Sequence, residues 1–144
     1  MTVNTKAFGP TEVSEQQRLT CDDGLLGFND IHSFYLIDYP DPNTPFYLLQ
    51  SDEHTEIAFV LMDPTLIMPD YQLSVSDKDL RMIGVENPSD VLYFSIVTIY
   101  DNPQDSTVNL LGPIVINKKN HKAKQMISQN DDYSVRYPLF KGGN

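Results

Sequence analysis

Apolar and polar positions alternate along most of this chain with a period of two. Residues 91–100, VLYFSIVTIY, carry the pattern most strongly. Val91, Tyr93, Ser95, Val97 and Ile99 share one face of a strand; Leu92, Phe94, Ile96, Thr98 and Tyr100 share the other. Both faces are mostly apolar, which predicts a central strand covered on both sides. The turn chemistry of 101–107, DNPQDST, interrupts the pattern, and 110–116 resumes it. Pro113 has no N–H to donate, so it belongs at a strand start, an edge or a bulge.

The same period predicts strands over 2–8, 31–38, 46–51, 56–62, 123–128 and 133–140, with 12–21 as a half-exposed edge strand or pair. Gly9-Pro10 and Asp22-Asp23-Gly24 read as turns, and 39–45 holds three prolines and must be loop. The polar tip 52–55 joins two strands into a hairpin. Asp63-Pro64 and 68–71 mark bends, and 118–122 is a basic turn. One helix is expected, over 77–84: Ser76 or Asp77 caps it, Leu80 and Ile83 share its apolar face, and Gly84 stops it. The connections are too short for parallel crossovers. The expectation is an all-β fold: a single compact antiparallel β-barrel-like domain over 1–140 with one short helix, followed by a frayed tail at 141–144.

Composition narrows the function. Twenty acidic residues against ten basic ones give a net charge of −10, while the apolar content, 40%, is ordinary for a globular protein. So negative a chain disfavours direct nucleic-acid binding and anionic membranes, and favours encounter with a basic protein. The single cysteine, Cys21, rules out an intrachain disulfide. The N-terminal residues lack the apolar core of a signal peptide and no apolar run reaches membrane-spanning length, so a cytoplasmic protein is expected.

Catalytic chemistry finds little footing, and no enzyme is expected. His32, His54 and His121 lie far apart without metal-ligand spacing; the tip Asp52-Glu53-His54 reads as a solvated turn. Cys21 reads as a small buried hydrophobe. Gly24 and Gly27 lack the Lys-Ser/Thr of a phosphate loop and supply turn conformations instead. Asp38, Asp41, Asp101, Asp105, Asp131 and Asp132 fall in turns, where Asp bonds its own backbone. No metal and no cofactor are expected. A partner surface is expected at Asp70 and Tyr71, just after a proline bend, together with Asp77 and Asp79 at the helix start: an aromatic with charges on a loop is a common binding composition.

Five segments in order carry a family resemblance: Gly24-Leu25-Leu26-Gly27-Phe28; Phe46-Tyr47-Leu48-Leu49-Gln50-Ser51; Ile57-Ala58-Phe59-Val60 with Asp63-Pro64; Pro69-Asp70-Tyr71; and Val108-Asn109-Leu110-Leu111-Gly112-Pro113-Ile114-Val115-Ile116-Asn117. Together they resemble the flagellar assembly factor FliW family over residues 2–139. The chain departs from the family's usual pattern at Cys21, Gly112 and Ser128, where an aromatic, an alanine and an aliphatic residue are common. The resemblance implies a compact antiparallel β-barrel-like fold and a non-enzymatic partner-switching role in the cytoplasm. Its implied partners are flagellin and CsrA, an RNA-binding repressor of flagellin synthesis that the protein antagonises. Fold class alone also allows a small-ligand or carbohydrate-binding β-barrel module. Acidic residues gathered on one face would mark the first; an apolar cavity with a few polar groups would mark the second.

Overall fold

The structure, a computed structural model, describes residues 1–25 and 27–140. The expected tail at 141–144 lies outside the described residues. Among the described residues, eleven short strands and one α-helix follow each other in this order: β1 (Thr2–Thr5), β2 (Gly9–Glu12), β3 (Arg18–Thr20), β4 (Ser33–Asp38), β5 (Phe46–Ser51), β6 (Ala58–Met62), α1 (Asp77–Met82), β7 (Val91–Thr98), β8 (Thr107–Val108), β9 (Ile114–Asn117), β10 (Ala123–Gln125) and β11 (Tyr137–Pro138). The fold is all-β and antiparallel with one short helix. β1 and β2 form a separate hairpin. The main sheet runs β10-β9-β7-β6-β5-β4-β3, with β8 paired to β7 and β11 to β8.

The main sheet curls until its ends meet. Thr20, at the end of β3, forms a single bridge with Lys122, just before β10, and its N–H donates to the His121 carbonyl at 2.9 Å. One bridge is not a ladder, so the barrel is unclosed at this seam. Ion pairs Lys122–Asp22 (3.0 Å) and Lys124–Asp23 (3.6 Å) flank it.

Curling creates an inside, and the side-chain alternation fills it. Phe34, Leu49, Leu61, Phe94, Ile114 and Ile116 meet in one buried core with Leu19, Cys21 and Leu25. The outward neighbours in the same strands are covered by three separate pieces. The β1–β2 hairpin covers Tyr35, Ile37 and Leu48 with Val3 and Val13. The segment 67–71 and the C-terminal residues cover Met62, Val97 and Val108. The helix covers Val115 and Met126 with Ile83. This is why β4, β5, β7 and β9 are apolar on both sides: the inner row fills the barrel, the outer row seats a cover. Each buried CH₂ in either row contributes about 0.8 kcal/mol.

Polar side chains fasten the covers: Gln50 and Asn117 are buried, Asn109 is half-buried and Asn120 is exposed. The Gln50 carboxamide is fully buried; its Oε1 accepts from the Lys6 N–H at 2.9 Å, and its Nε2 donates to the Thr55 carbonyl at 3.0 Å. It thereby ties the β1–β2 hairpin to the tip of the β5–β6 hairpin. Asn117 and Asn120 both donate to the Ile83 carbonyl, at 2.9 and 3.0 Å, and secure the end of α1. Asn109 Oδ1 accepts from the N–H groups of Leu111 and Gly112, at 3.1 and 2.8 Å, and turns the chain into β9. Buried amides left without such partners would each cost about 1–3 kcal/mol.

Local outcomes differ from the expected strands where turn chemistry prevails. Gly9-Pro10 opens the return strand β2 instead of closing the turn, with Gly9 in the left-handed region (φ 66°). The stretch 12–21 is broken by a 3-10 turn over Glu15–Gln17. There Ser14 and Gln17 form a capping box. Leu110 to Pro113 is irregular, and Pro113 stands immediately before β9, where its missing N–H removes no ladder bond. Of 133–140, only Tyr137–Pro138 pairs. The helix starts on the Ser76 cap, whose Oγ accepts from the Asp79 N–H at 3.0 Å, and Gly84 follows its end at φ 73°.

Candidate functional site

Tyr71 is a structural anchor rather than an exposed contact. Its ring is 4% exposed, stacks on Tyr133 (centroids 4.6 Å apart, planes 22° apart), and leans on Tyr93 at 6.0 Å. Its hydroxyl donates to the Leu110 carbonyl at 2.8 Å. Burial, reinforced by Tyr133 and Tyr93, pushes its pKa up to about 12. The bend Pro69-Asp70-Tyr71 brings the ring inward because a tyrosine next to an uncovered apolar row gains more from burial than from solvent. Asp70 and Asp77 are exposed and Asp79 is half-buried; none forms an ion pair among the described residues. Asp77 and Asp79 sit in the first turn of α1, favourable places for negative charge.

A second acidic surface lies on the rim where β4 and β6 end and β5 and β7 begin. Asp38 pairs with Tyr47 across β4–β5, and Phe46 with Met62 across β5–β6. Here a cleft of about 460 Å³ is lined by Asp38, Asp41, Asp63, Tyr39, Phe46, Tyr47 and Leu66. Tyr47 and Asp63 also line a neighbouring groove of about 370 Å³ that continues to Leu92, Tyr93 and Phe94. The rings brace each other: Tyr39 meets Phe8 at 5.0 Å and Phe46 at 5.7 Å, and Tyr47 meets Phe94 at 5.0 Å. Burial raises the pKa of Tyr39, and burial with Asp63 and Tyr133 raises that of Tyr93, so both hydroxyls stay neutral. Asp38, Asp41 and Asp63 had been legible only as turn aspartates. Asp38 and Asp41 stand close to Tyr39, Phe46 and Tyr47 around a proline-rich loop, which is a signal of a shared surface; Asp63, distant in sequence, carries none.

The cysteine and the histidines are dispersed. Cys21 is fully buried, and burial pushes its pKa up to about 12, the opposite of an activated thiol. His54 lies 3.6 Å from Glu56 on an exposed tip. No group of three or more metal-ligating side chains occurs among the described residues. None of the described helices is long and apolar enough to cross a membrane.

Fold and surface thus define an all-β domain with a packed interior, a helix on one outer face and acidic clefts on its rim. Comparison with known proteins narrows that class. The model of the family described as FliW protein matches residues 2–139. The flagellar assembly factor FliW of Thermoanaerobacter pseudethanolicus is 36% identical over 141 residues, covering 98% of this chain and 94% of the relative. That of Leptospira biflexa is 40% identical over 137 residues, covering 94% and 89%. A crystal structure of the flagellar assembly factor FliW superposes with a TM-score of 0.89 at 30% identity over the whole of both chains. The chain belongs to the FliW family of flagellar assembly factors.

Proposed function

We propose that residues 1–140 act as one non-enzymatic domain in the cytoplasm that binds flagellin, and that binds and antagonises the translational repressor CsrA. Flagellin in excess occupies the protein and leaves CsrA free to repress flagellin synthesis; export of flagellin releases the protein to take up CsrA. Family membership over residues 2–139 carries this reading. The net charge of −10 supports it, since an RNA-binding repressor presents basic residues that an acidic surface attracts. A ligand-binding barrel has less support, because Phe34, Leu49, Leu61, Phe94 and Ile114 fill the interior.

The partner surface proposed here comprises Asp70, Asp77 and Asp79, with Tyr71 holding their loop from beneath. The triple variant Asp70→Asn/Asp77→Asn/Asp79→Asn tests it by calorimetric titration with flagellin and with CsrA. The expected result is a loss of about tenfold in affinity for at least one partner, with only the small drop in stability that removing two first-turn charges of a short helix brings. Full affinity for both partners would remove these residues from the contact surface.

A further inference from the structure

We infer that the rim cleft docks a short cationic segment of a partner protein, in which a lysine or arginine stands beside an aliphatic or aromatic side chain. Neither Asp70, Asp77 nor Asp79 lines this cleft, so this inference and the surface proposed above stand or fall separately.

Three properties of the cleft select that occupant. The first is its apolar exposure. Leu66 is 61% and Leu92 40% exposed, next to the half-buried rings of Tyr39, Phe46 and Tyr47. Exposed aliphatic groups beside braced aromatics leave area for a partner's apolar side chain to cover.

The second is unbalanced charge. Asp38, Asp41 and Asp63 make no ion pair with any basic side chain among the described residues, whereas Lys119, Lys122 and Lys124 are paired with Asp90, Asp22 and Asp23 elsewhere. Asp63 stands at the junction of the two grooves. Its Oδ1 accepts from the Thr65 N–H and hydroxyl, at 2.9 and 2.7 Å, and its Oδ2 has no partner among the described residues. A guanidinium or ammonium placed there meets a carboxylate oxygen in grooves that Tyr39, Phe46 and Tyr47 also line, and aromatic linings favour a cation.

The third is shape. Two grooves share Tyr47 and Asp63 in their linings and so lie side by side on the rim rather than as one socket. Adjacent grooves accept successive side chains of a peptide; a compact metabolite would fill one and leave the other open.

The test titrates the isotope-labelled full chain, observed by NMR, with a short blocked peptide of alternating leucine and lysine, and with its leucine–glutamate counterpart. The expected result is that the lysine peptide shifts amide signals confined to 38–47, 63–66 and 91–94, and that the glutamate peptide shifts none. The variant Asp38→Asn/Asp41→Asn/Asp63→Asn should lose about tenfold in affinity. The control Glu53→Gln/Glu56→Gln/Glu86→Gln, which removes equal charge outside the cleft, should keep it. If the triple variant melts early, Asp38→Asn/Asp41→Asn leaves the Asp63 cap intact and must still weaken binding measurably. Equal loss in variant and control would reduce the effect to net charge and overturn the inference. So would shifts spread outside the rim, equal binding of the glutamate peptide, or no shift at millimolar lysine peptide.

Discussion

Tyr71 shows how one hydroxyl decides the use of a whole loop. The side chain is too apolar to leave uncovered and too polar to bury without a partner; the Leu110 carbonyl resolves the conflict. Removing the donor in Tyr71→Phe leaves that carbonyl unsatisfied and should cost about 1–3 kcal/mol near neutral pH. The same burial gives the site an alkaline signature. The folded pKa, about 12, lies above the ordinary value of 10. Below pH 10 both folded and unfolded states are protonated, so the contribution is intact. As pH rises towards 12 the unfolded chain ionises first, and roughly 2–3 kcal/mol of stability is lost. Urea melts of wild type and Tyr71→Phe near neutrality and at about pH 11 should therefore converge at the higher pH. Parallel pH profiles would show that the phenol reaches solvent in the folded state.

Short elements in this protein are bounded by side-chain caps that recur. Asp63-Pro64, Asn87-Pro88 and Asn102-Pro103 each open a 3-10 turn, with the Asx side chain accepting the N–H two residues on and proline supplying a preset φ. Glycines supply what such caps cannot. Gly9 and Gly24 share a φ of +66°, but an added Cβ meets nothing within 4 Å at Gly9, whereas at Gly24 it meets the Phe28 carbonyl oxygen and stands 2.6 Å from Asn29 Cα. Gly9→Ala should thus cost only the left-handed conformation, about 1–2 kcal/mol. Gly24→Ala adds a collision with backbone and should cost about 2–5 kcal/mol. Chemical denaturation of both variants gives the ranking; equal costs would mean that the 24–29 turn yields freely.

The whole molecule combines a neutral interior with a surface whose charge is only locally balanced. Ion pairs gather at the seam and around Arg18, which binds Glu15 and Asp52 and lies over the Tyr35 ring at 4.7 Å. The carboxylates of the rim and of the helix start make no ion pair within 4 Å among the described residues. The proposed binding of CsrA should therefore weaken as salt rises, because exposed charges are screened beyond about 8 Å at physiological ionic strength. Calorimetry of the complex at low and high salt checks this. Equal affinities would assign the interface to apolar contact alone.

The sequence by itself determined which residues could be strands, because strand alternation is a local property: Phe34, Leu36, Tyr35 and Ile37 take the sides that the period of two assigned them. It also determined the helix, whose cap at Ser76 and stop at Gly84 act within a turn of the backbone. The segments that carried the family resemblance hold residues whose reasons are spatial. The buried amide of Gln50, the half-buried one of Asn109 and the buried one of Asn117 secure a hairpin, a turn and a helix end. Tertiary structure alone decided which apolar row faced inward and which seated a cover, since periodicity is the same for both. It also decided that Tyr71 is core and that Asp38, Asp41 and Asp63 share one cleft. A side chain's surroundings depend on strands distant in sequence, and the curl of the sheet brings those strands together.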